Sequence, residues 1–344
     1  MSDKAKIAIV GFGNIGKAVL NSVNQNNELH GDMEPVGIIT RDPARTCSQL
    51  PDNSGVSSNQ IYTLKDEKAW TDLDADVAIL CGGSKEDLPH QGPIFARNFN
   101  TVDSFDTHKD IAGYFATMSG IARAEGTLSL VSGGWDPGTF SLERVLGNAF
   151  IPGSNPRGFY GLDDEGGLSM GHGDAIRKVK GVADARQYTH AIHESMEDLE
   201  SDGKLELAPG QMHWRECVVV LENDTPEERE RVSGEIQSMP KYFNEYRTEV
   251  EFTTQENLDA NYSEMHHDGA VITSGNTADG NRGSIEYRNT WPSNPDGTAG
   301  ILTACARAVH KMSKDGQTGA ITMLDVPASK YSPHSRQELL KKFM

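Results

Sequence analysis

Short apolar runs recur through the first 134 residues, separated by stretches with helical spacing. Residues 7–10, 36–40, 77–81, 101–103 and 128–132 read as strands, and Ile111–Glu125 carries Ala, Met and Ile at helical spacing. Strands alternating with helices predict a parallel sheet covered on both faces, with ligands gathering at the carboxyl ends of its strands. After Asp136 the pattern changes. Residues 140–149 read as a helix behind Pro137, and 151–171, rich in Gly, Pro and Asp, read as loops. Runs of β character follow at 186–192, 216–221, 246–253, 269–274 and 284–288, with a charged helix at 225–239. This mixture predicts a second, α+β domain with an open sheet. Residues 298–312 are helical again and expected to return to the first domain.

The first run leads into Gly11-Phe12-Gly13-Asn14-Ile15-Gly16, and helical spacing starts directly afterwards at Lys17. A strand, a glycine turn and a helix start are the context in which Gly-x-Gly-x-x-Gly binds a dinucleotide. The first glycine permits the turn, the second lets backbone amides approach a pyrophosphate, and the third lets helix and strand pack closely. The expected fold class is α/β. A Rossmann-type dinucleotide-binding domain spans 1–134 and is completed by 293–344, and an α+β domain spans 135–292. The second strand ends at Thr40-Arg41. An NAD site usually has a carboxylate there, whereas a guanidinium pairs with the 2′-phosphate of NADP. Arg41, with Arg45 nearby, therefore favours NADP, and Asp42 partly opposes it.

Composition narrows the classes. The net charge of −18, from 32 basic and 50 acidic residues, argues against a nucleic-acid partner, because phosphate binding needs a basic face. No apolar run approaches the ~20 residues of a membrane span, and mean hydropathy is −0.52. A strand within six residues of the start leaves no room for a signal peptide, and four scattered cysteines fit reduced thiols in a cytoplasm. The acidity is concentrated at 135–292, with 14 basic and 29 acidic residues.

Candidate chemistry sits on loops. Asp106 and Asp136 both follow strands of one predicted sheet, and two carboxylates beside a cofactor suit a substrate ammonium, one of them taking its proton. Asp-Pro-Gly at 136–138 is equally a turn signal. Trp135 serves as a pocket wall or as core. Arg215 opens an apolar strand, where a guanidinium can clamp a carboxylate. His267 lies before a strand in Met-His-His-Asp-Gly. His266, His267 and Asp268 would point apart on an extended loop with no third ligand at a familiar spacing, so no metal is expected. His190 and His193 read as structural.

Taken together, Ile9-Val-Gly-Phe-Gly-Asn-Ile-Gly16, Val102-Asp-Ser-Phe-Asp-Thr-His108, Gly134-Trp-Asp-Pro-Gly138, Leu168-Ser-Met-Gly-His-Gly-Asp-Ala175, Gln187-Tyr-Thr189 and Asn294-Pro-Asp296 resemble the meso-diaminopimelate D-dehydrogenases over nearly the whole chain. The resemblance implies NADP-dependent, reversible oxidative deamination of the D-centre of meso-2,6-diaminopimelate in lysine and cell-wall precursor synthesis. It implies a cytoplasmic homodimer with residues 135–292 as the substrate-binding and dimerisation domain. The cofactor would fall on Phe12, Gly13, Asn14 and Ile15 with Thr40 and Arg41 at the 2′-phosphate, bordered by Lys85, Glu86, Asp87, Leu88, Ser104, Phe105 and Asp106. The reacting end would fall on Asp106, Trp135 and Asp136, and the distal parts on Met170, Gly171, Thr189, Arg215, His267 and Asn294, with Arg215, Thr189, His267 and Asn294 as donors to carboxylates. An aromatic at Phe159 or Tyr160 would line the pocket. Three departures stand out: Asp42 where a second arginine can occur, a longer stretch at 161–167, and Met170 where Gln is common. Two alternatives share part of this pattern. A dihydrodipicolinate-reductase-like enzyme is disfavoured by the lack of basic dipeptides, and a non-catalytic NADP sensor would not need paired carboxylates.

Overall fold

A computed structural model describes residues 4–344. Contacts divide the chain into two units, Met1–Leu142 with Pro295–Met344, and Glu143–Asn294.

The first unit is built on a seven-stranded sheet. Its strands are β1 (Ala5–Val10), β2 (Met33–Thr40), β3 (Ile61–Thr63), β4 (Val77–Leu80), β5 (Asn100–Asp103), β6 (Leu128–Leu130) and, from the end of the chain, β14 (Gly319–Ile321). The order is β14-β6-β5-β4-β1-β2-β3, with every pairing parallel. The order reverses between β1 and β4, the switch point at which such sheets bind ligands. Alternate residues of β1 feed two cores. Ile7 and Ile9 pack with Val19 and Val23 of the helix Asn14–His30 and with Leu302, Ala306 and Val309 of the helix Asn294–Lys314. Ala8 and Val10 pack on the opposite face with Trp70, Phe95 and Phe99. The returning helix is tied down by Arg307, buried and paired with Asp32 at 2.5 Å.

Two edge strands, β3 and β14, escape the sequence pattern because three residues are too few to show a period. The strand expected over 128–132 stops at Leu130, since Ser132 takes a positive φ and turns back toward the neighbouring loop. The division at 142, rather than at 134, follows from the same turn: the segment 132–138 is hydrogen-bonded into the end of β5.

The second unit holds β7 (Arg157–Tyr160), β8 (Gly167–Leu168), β9 (Val182–Ala191), β10 (His213–Leu221), β11 (Thr248–Phe252), β12 (His267–Asn276) and β13 (Arg282–Trp291). They form two sheets, β11-β10-β9-β8 and β13-β12-β7, rather than one. The stretch 151–171 is therefore not all loop. Its strands are short and rely on distant partners: Tyr160 pairs with Gly269, and Gly167 with Thr189. One face of β9 and β10 buries Ala185, Cys217 and Val219 under the helices Met170–Arg177 and Pro226–Gln237. The other packs Tyr188, Val218 and Val220 with Leu168 and Leu258. Arg215 lies on the first face, opposite Thr189.

Candidate active site

Gly11 turns the chain with a φ of +92°, and a Cβ on Gly16 would stand 2.1 Å from the Gly11 carbonyl oxygen, so only glycine lets the helix approach the strand this closely. The helix Asn14–His30 begins at Gly13, which offers no side-chain cap, and a Cβ there would meet nothing within 4 Å. Open backbone amides at a helix start fit the pyrophosphate of a dinucleotide.

The loops after β4, β5 and β6 are stitched together. The Asp106 amide donates to the Ser84 hydroxyl at 2.8 Å, and the Ser132 hydroxyl donates to the Phe105 carbonyl at 2.7 Å. Beyond this, Gly133 donates to the Asp103 carbonyl, and Thr139 and Phe140 close back on Gly134 and Trp135. Asp106 and the Trp135-Asp136 segment thus ride on neighbouring loops held by one network, at the carboxyl end of the sheet. Trp135 lies half-buried beside the Phe140 ring.

Asp103, which sequence reasoning treated only as a strand end, is the anchor of that network. It is fully buried, and its Oδ1 accepts from the amides of Phe105 and Ser132 while Oδ2 accepts from the Tyr114 hydroxyl. Burial pushes its pKa up to about 6, against these hydrogen bonds. A carboxyl held protonated more tightly when folded adds stability below its unfolded pKa, and that contribution is lost as the pH rises through about 6. The loss is on the order of 3 kcal/mol. Asp103→Asn keeps an oxygen acceptor for both amides and removes the buried charge. Its melting temperature, relative to the parent, should climb between pH 4 and pH 7 by a few degrees and level off above. Scanning calorimetry across pH checks this, and a variant less stable than the parent at pH 8 would show that the charge itself is required.

Other expected cofactor residues divide by where their side chains go. Leu88 and Phe105 are core, Phe105 stacked on Tyr114 at 4.3 Å, so only their backbones can serve a cofactor. Phe12 and Ile15 pack partly onto the β1 core. Thr40 is buried, its hydroxyl bonded to that of Thr46. Asp87 accepts from the Gly83 amide and lies 3.6 Å from the Arg41 guanidinium, which is 79% exposed. Asp42 caps the helix Pro43–Ser48 by accepting from the Arg45 amide at 3.0 Å, so its charge is turned into that helix start. Lys85, Glu86 and Ser104 lie on the loops that follow β4 and β5, and Asn14 opens the helix that follows β1.

In the second unit the distal candidates gather around Arg215. Its guanidinium is buried, donates to the Thr189 hydroxyl and lies 4.3 Å from the centre of the Tyr246 ring. No carboxylate among the described residues pairs with it, and its Nε is buried without a hydrogen-bond partner. Three histidines flank it. Burial first, then the guanidinium, lowers His172 and His213 to about 3. Burial lowers His267 to about 4. All three are neutral at pH 7, which leaves Arg215 as the fixed charge of the group. The expectation of His267 as a donor to a carboxylate changes here. Its Nδ1–H donates to the Asp268 carbonyl at 2.9 Å, so Nε2 is the lone-pair nitrogen and an acceptor. It also opens β12 rather than lying in a loop.

Tyr160 is the aromatic that meets this group, stacked on His213 at 5.2 Å and edge-on to His267, whereas Phe159 is core. Met170 packs toward Leu168 and Tyr262 on the other face of the sheet, while Gly171, one residue on, is open. The Asn294 side-chain Nδ2 donates to the Leu168 carbonyl at 3.2 Å, which secures the segment leading into Met170. His172, His213 and Tyr246 were not singled out from sequence. Their role depends on distance from Arg215 across strands and turns, which no local pattern encodes. His190 pairs with Glu216 at 2.8 Å and stacks on Trp214.

A parallel sheet with a glycine turn at its switch point and acid-bearing loops at its carboxyl end defines the class of dinucleotide-binding oxidoreductases. Comparison with known proteins agrees and narrows it. The family pattern of the Diaminopimelic acid dehydrogenase C-terminal domain matches residues 134–292. The meso-diaminopimelate D-dehydrogenase of Ureibacillus thermosphaericus is 42% identical over 342 residues, covering 99% of both chains. Among solved structures, the C. glutamicum DAP dehydrogenase in complex with DAP superimposes with a TM-score of 0.88 at 35% identity, covering 99% of each chain. An engineered D-amino acid dehydrogenase bound to NADP+ gives 0.86 at 34%, covering 99% of this chain and all of the other. The chain belongs to the meso-diaminopimelate D-dehydrogenase family.

Proposed function

We propose that this protein is an NADP-dependent amino acid dehydrogenase that oxidatively deaminates the D-centre of meso-diaminopimelate. The observation that carries the substrate assignment is Arg215, a buried cation that no carboxylate among the described residues pairs with. A buried charge left unpaired is costly, so a partner of opposite charge is expected from outside the chain. The carboxylate at the L-centre of diaminopimelate supplies it, with Thr189 beside it.

NADP, when bound, supplies a hydride acceptor at nicotinamide C4. The residues that would hold it are Gly11, Phe12, Gly13, Asn14, Ile15 and Gly16 at the pyrophosphate, Thr40 and Arg41 at the 2′-phosphate, and the backbones of 85–88 and 104–106 along its length. Asp106 and Asp136 grip the D-ammonium and fix the direction of its Cα–H, and one of them takes the proton released as the amine becomes an imine. Water then adds to the imine carbon and ammonium leaves, giving L-2-amino-6-oxopimelate. Positioning of this kind is a large part of dehydrogenase catalysis. The opposite handedness of the L-centre presents its hydrogen the wrong way to the same two acids.

The test is NADP reduction by the purified protein with meso-, LL- and DD-diaminopimelate. Turnover with the meso isomer and none with LL is expected, and no turnover with meso above background ends the reading. Arg41→Ala should weaken NADP about tenfold and leave NAD unchanged, as measured by NADPH and NADH titration. The effect is kept modest by the exposure of Arg41 and its neighbour Asp87. Unchanged selectivity would remove Arg41 from the phosphate site.

The acting form is a homodimer in the cytoplasm. What supports association is the helix Thr139–Phe150, where Val145 and Phe150 stand 51% and 65% exposed, and the open edge of β13. Light scattering at twice the chain mass is the expected result. Among the described residues no helix is long and apolar enough to cross a membrane.

A further inference from the structure

Arg215 needs something to hold its guanidinium in place while no substrate is bound. Thr189 binds one end of the fork. The rest lies against Tyr246, whose ring centre is 4.3 Å from the guanidinium carbon. The three histidines around it carry no charge at pH 7, so they add no second cation beside it and do not compete with it for an incoming anion. The ring face is an electron-rich surface that a desolvated guanidinium can rest on without being neutralised. That distinction matters, because a carboxylate in the same place would satisfy the charge and close the site to a substrate carboxylate.

Tyr246 is itself fixed with unusual care for a loop residue. Its amide donates to the Phe243 carbonyl, and the Thr248 hydroxyl reaches back to the Tyr246 carbonyl at 3.3 Å. The next residue, Arg247, accepts from the Arg215 amide at 2.8 Å, so the turn is bolted to the strand that carries the arginine. From the other side, Gly210 in the short helix Pro209–Met212 lies against the turn. A Cβ on Gly210 would stand 2.3 Å from the Glu245 carbonyl oxygen and 3.5 Å from the Tyr246 Cα. Any larger residue there must displace the backbone that presents the ring.

We propose that Tyr246, seated by Gly210, is a positioning residue that holds the buried Arg215 guanidinium ready for the distal carboxylate of the substrate without neutralising it. This rests on the reading of Arg215 as the carboxylate site. The ring acts on substrate affinity, not on the reacting carbon, so its loss separates KM from kcat.

The experiment uses the full-length enzyme with saturating NADP and meso-diaminopimelate. Tyr246→Leu should raise KM about tenfold with kcat within twofold and NADP affinity unchanged. Tyr246→Phe, which keeps the ring, should restore KM to within about twofold. Gly210→Ala should raise KM in the same direction as Tyr246→Leu. An unchanged KM in Tyr246→Leu, or a parallel fall in kcat and NADP affinity, overturns the proposal. A Tyr246→Phe variant as impaired as Tyr246→Leu overturns it as well, because the hydroxyl and not the ring face would then be the working part. Arg215→Met run alongside separates the two levels. If it leaves KM unchanged, the carboxylate reading itself fails. If it raises KM while Tyr246→Leu does not, only the role of Tyr246 fails.

Discussion

Asp136→Ala should lower kcat for meso-diaminopimelate about a thousandfold while NADP affinity stays within about twofold, since the lost group combines proton transfer, worth roughly 10²–10⁴, with orientation of the reacting amine. The separation of the two effects follows from where Asp136 sits. The glycine turn after β1, which would hold the cofactor end, is set by its own backbone contact between Gly11 and Gly16. The 132–138 loop is held by main-chain bonds at Gly133, Gly134 and Thr139 and by the Ser132 side chain, all of which survive the substitution. Steady-state kinetics with NADPH titration decides the matter. Equal loss of cofactor binding and turnover would make Asp136 a structural member of the loop. Asp136→Asn sharpens the result: it retains a side-chain acceptor but neither the charge nor the basicity, so its kcat should stay close to that of the alanine variant.

Arg215→Met should raise KM for meso-diaminopimelate by a hundredfold or more, as removing one partner from a desolvated charge pair costs roughly 2–5 kcal/mol. The same substitution should leave the free protein as stable as the parent or more so. In the free chain Arg215 is a buried cation that no carboxylate among the described residues pairs with, and methionine fills a similar volume with no desolvation cost. Opposite signs for stability and binding are what distinguish a ligand site from a structural ion pair. Thermal melts and substrate titration on one preparation measure both. A large drop in melting temperature would mean that the guanidinium serves the fold through Thr189 and Tyr246, and the substrate reading would lose its main support. D-Lysine, which lacks the distal carboxylate, provides the control: whatever activity it shows should be insensitive to Arg215→Met.

Asp103 links the two halves of this picture. Its two amide partners belong to the loops carrying Asp106 and Asp136, and its raised pKa means that the folded protein keeps a charge in an apolar site at neutral pH to hold them together. Cost at a functional loop is a common pattern, since sites trade stability for placement.

The sequence by itself determined what is local. The run into Gly11-x-Gly13-x-x-Gly16 specifies a strand, a turn and a helix because each step depends on neighbours within a few residues, and the helix Ile111–Glu125 follows from the helical spacing of its Ala, Met and Ile residues. The alternation of apolar runs determined the parallel sheet, and the position of Asp106 and Asp136 after strands determined that they lie on its carboxyl-end loops. Only the tertiary structure decided what depends on pairs distant in the chain. Short β7 and β8 exist because β12 and β9 supply their hydrogen bonds. Asp103 acquires its role from Ser132, and Leu88 and Phe105 turn into the core at the carboxyl end of the sheet. The charge state of His267 follows from burial, and that of Arg215 from burial with no carboxylate among the described residues paired to it, and neither is written in any short stretch of sequence.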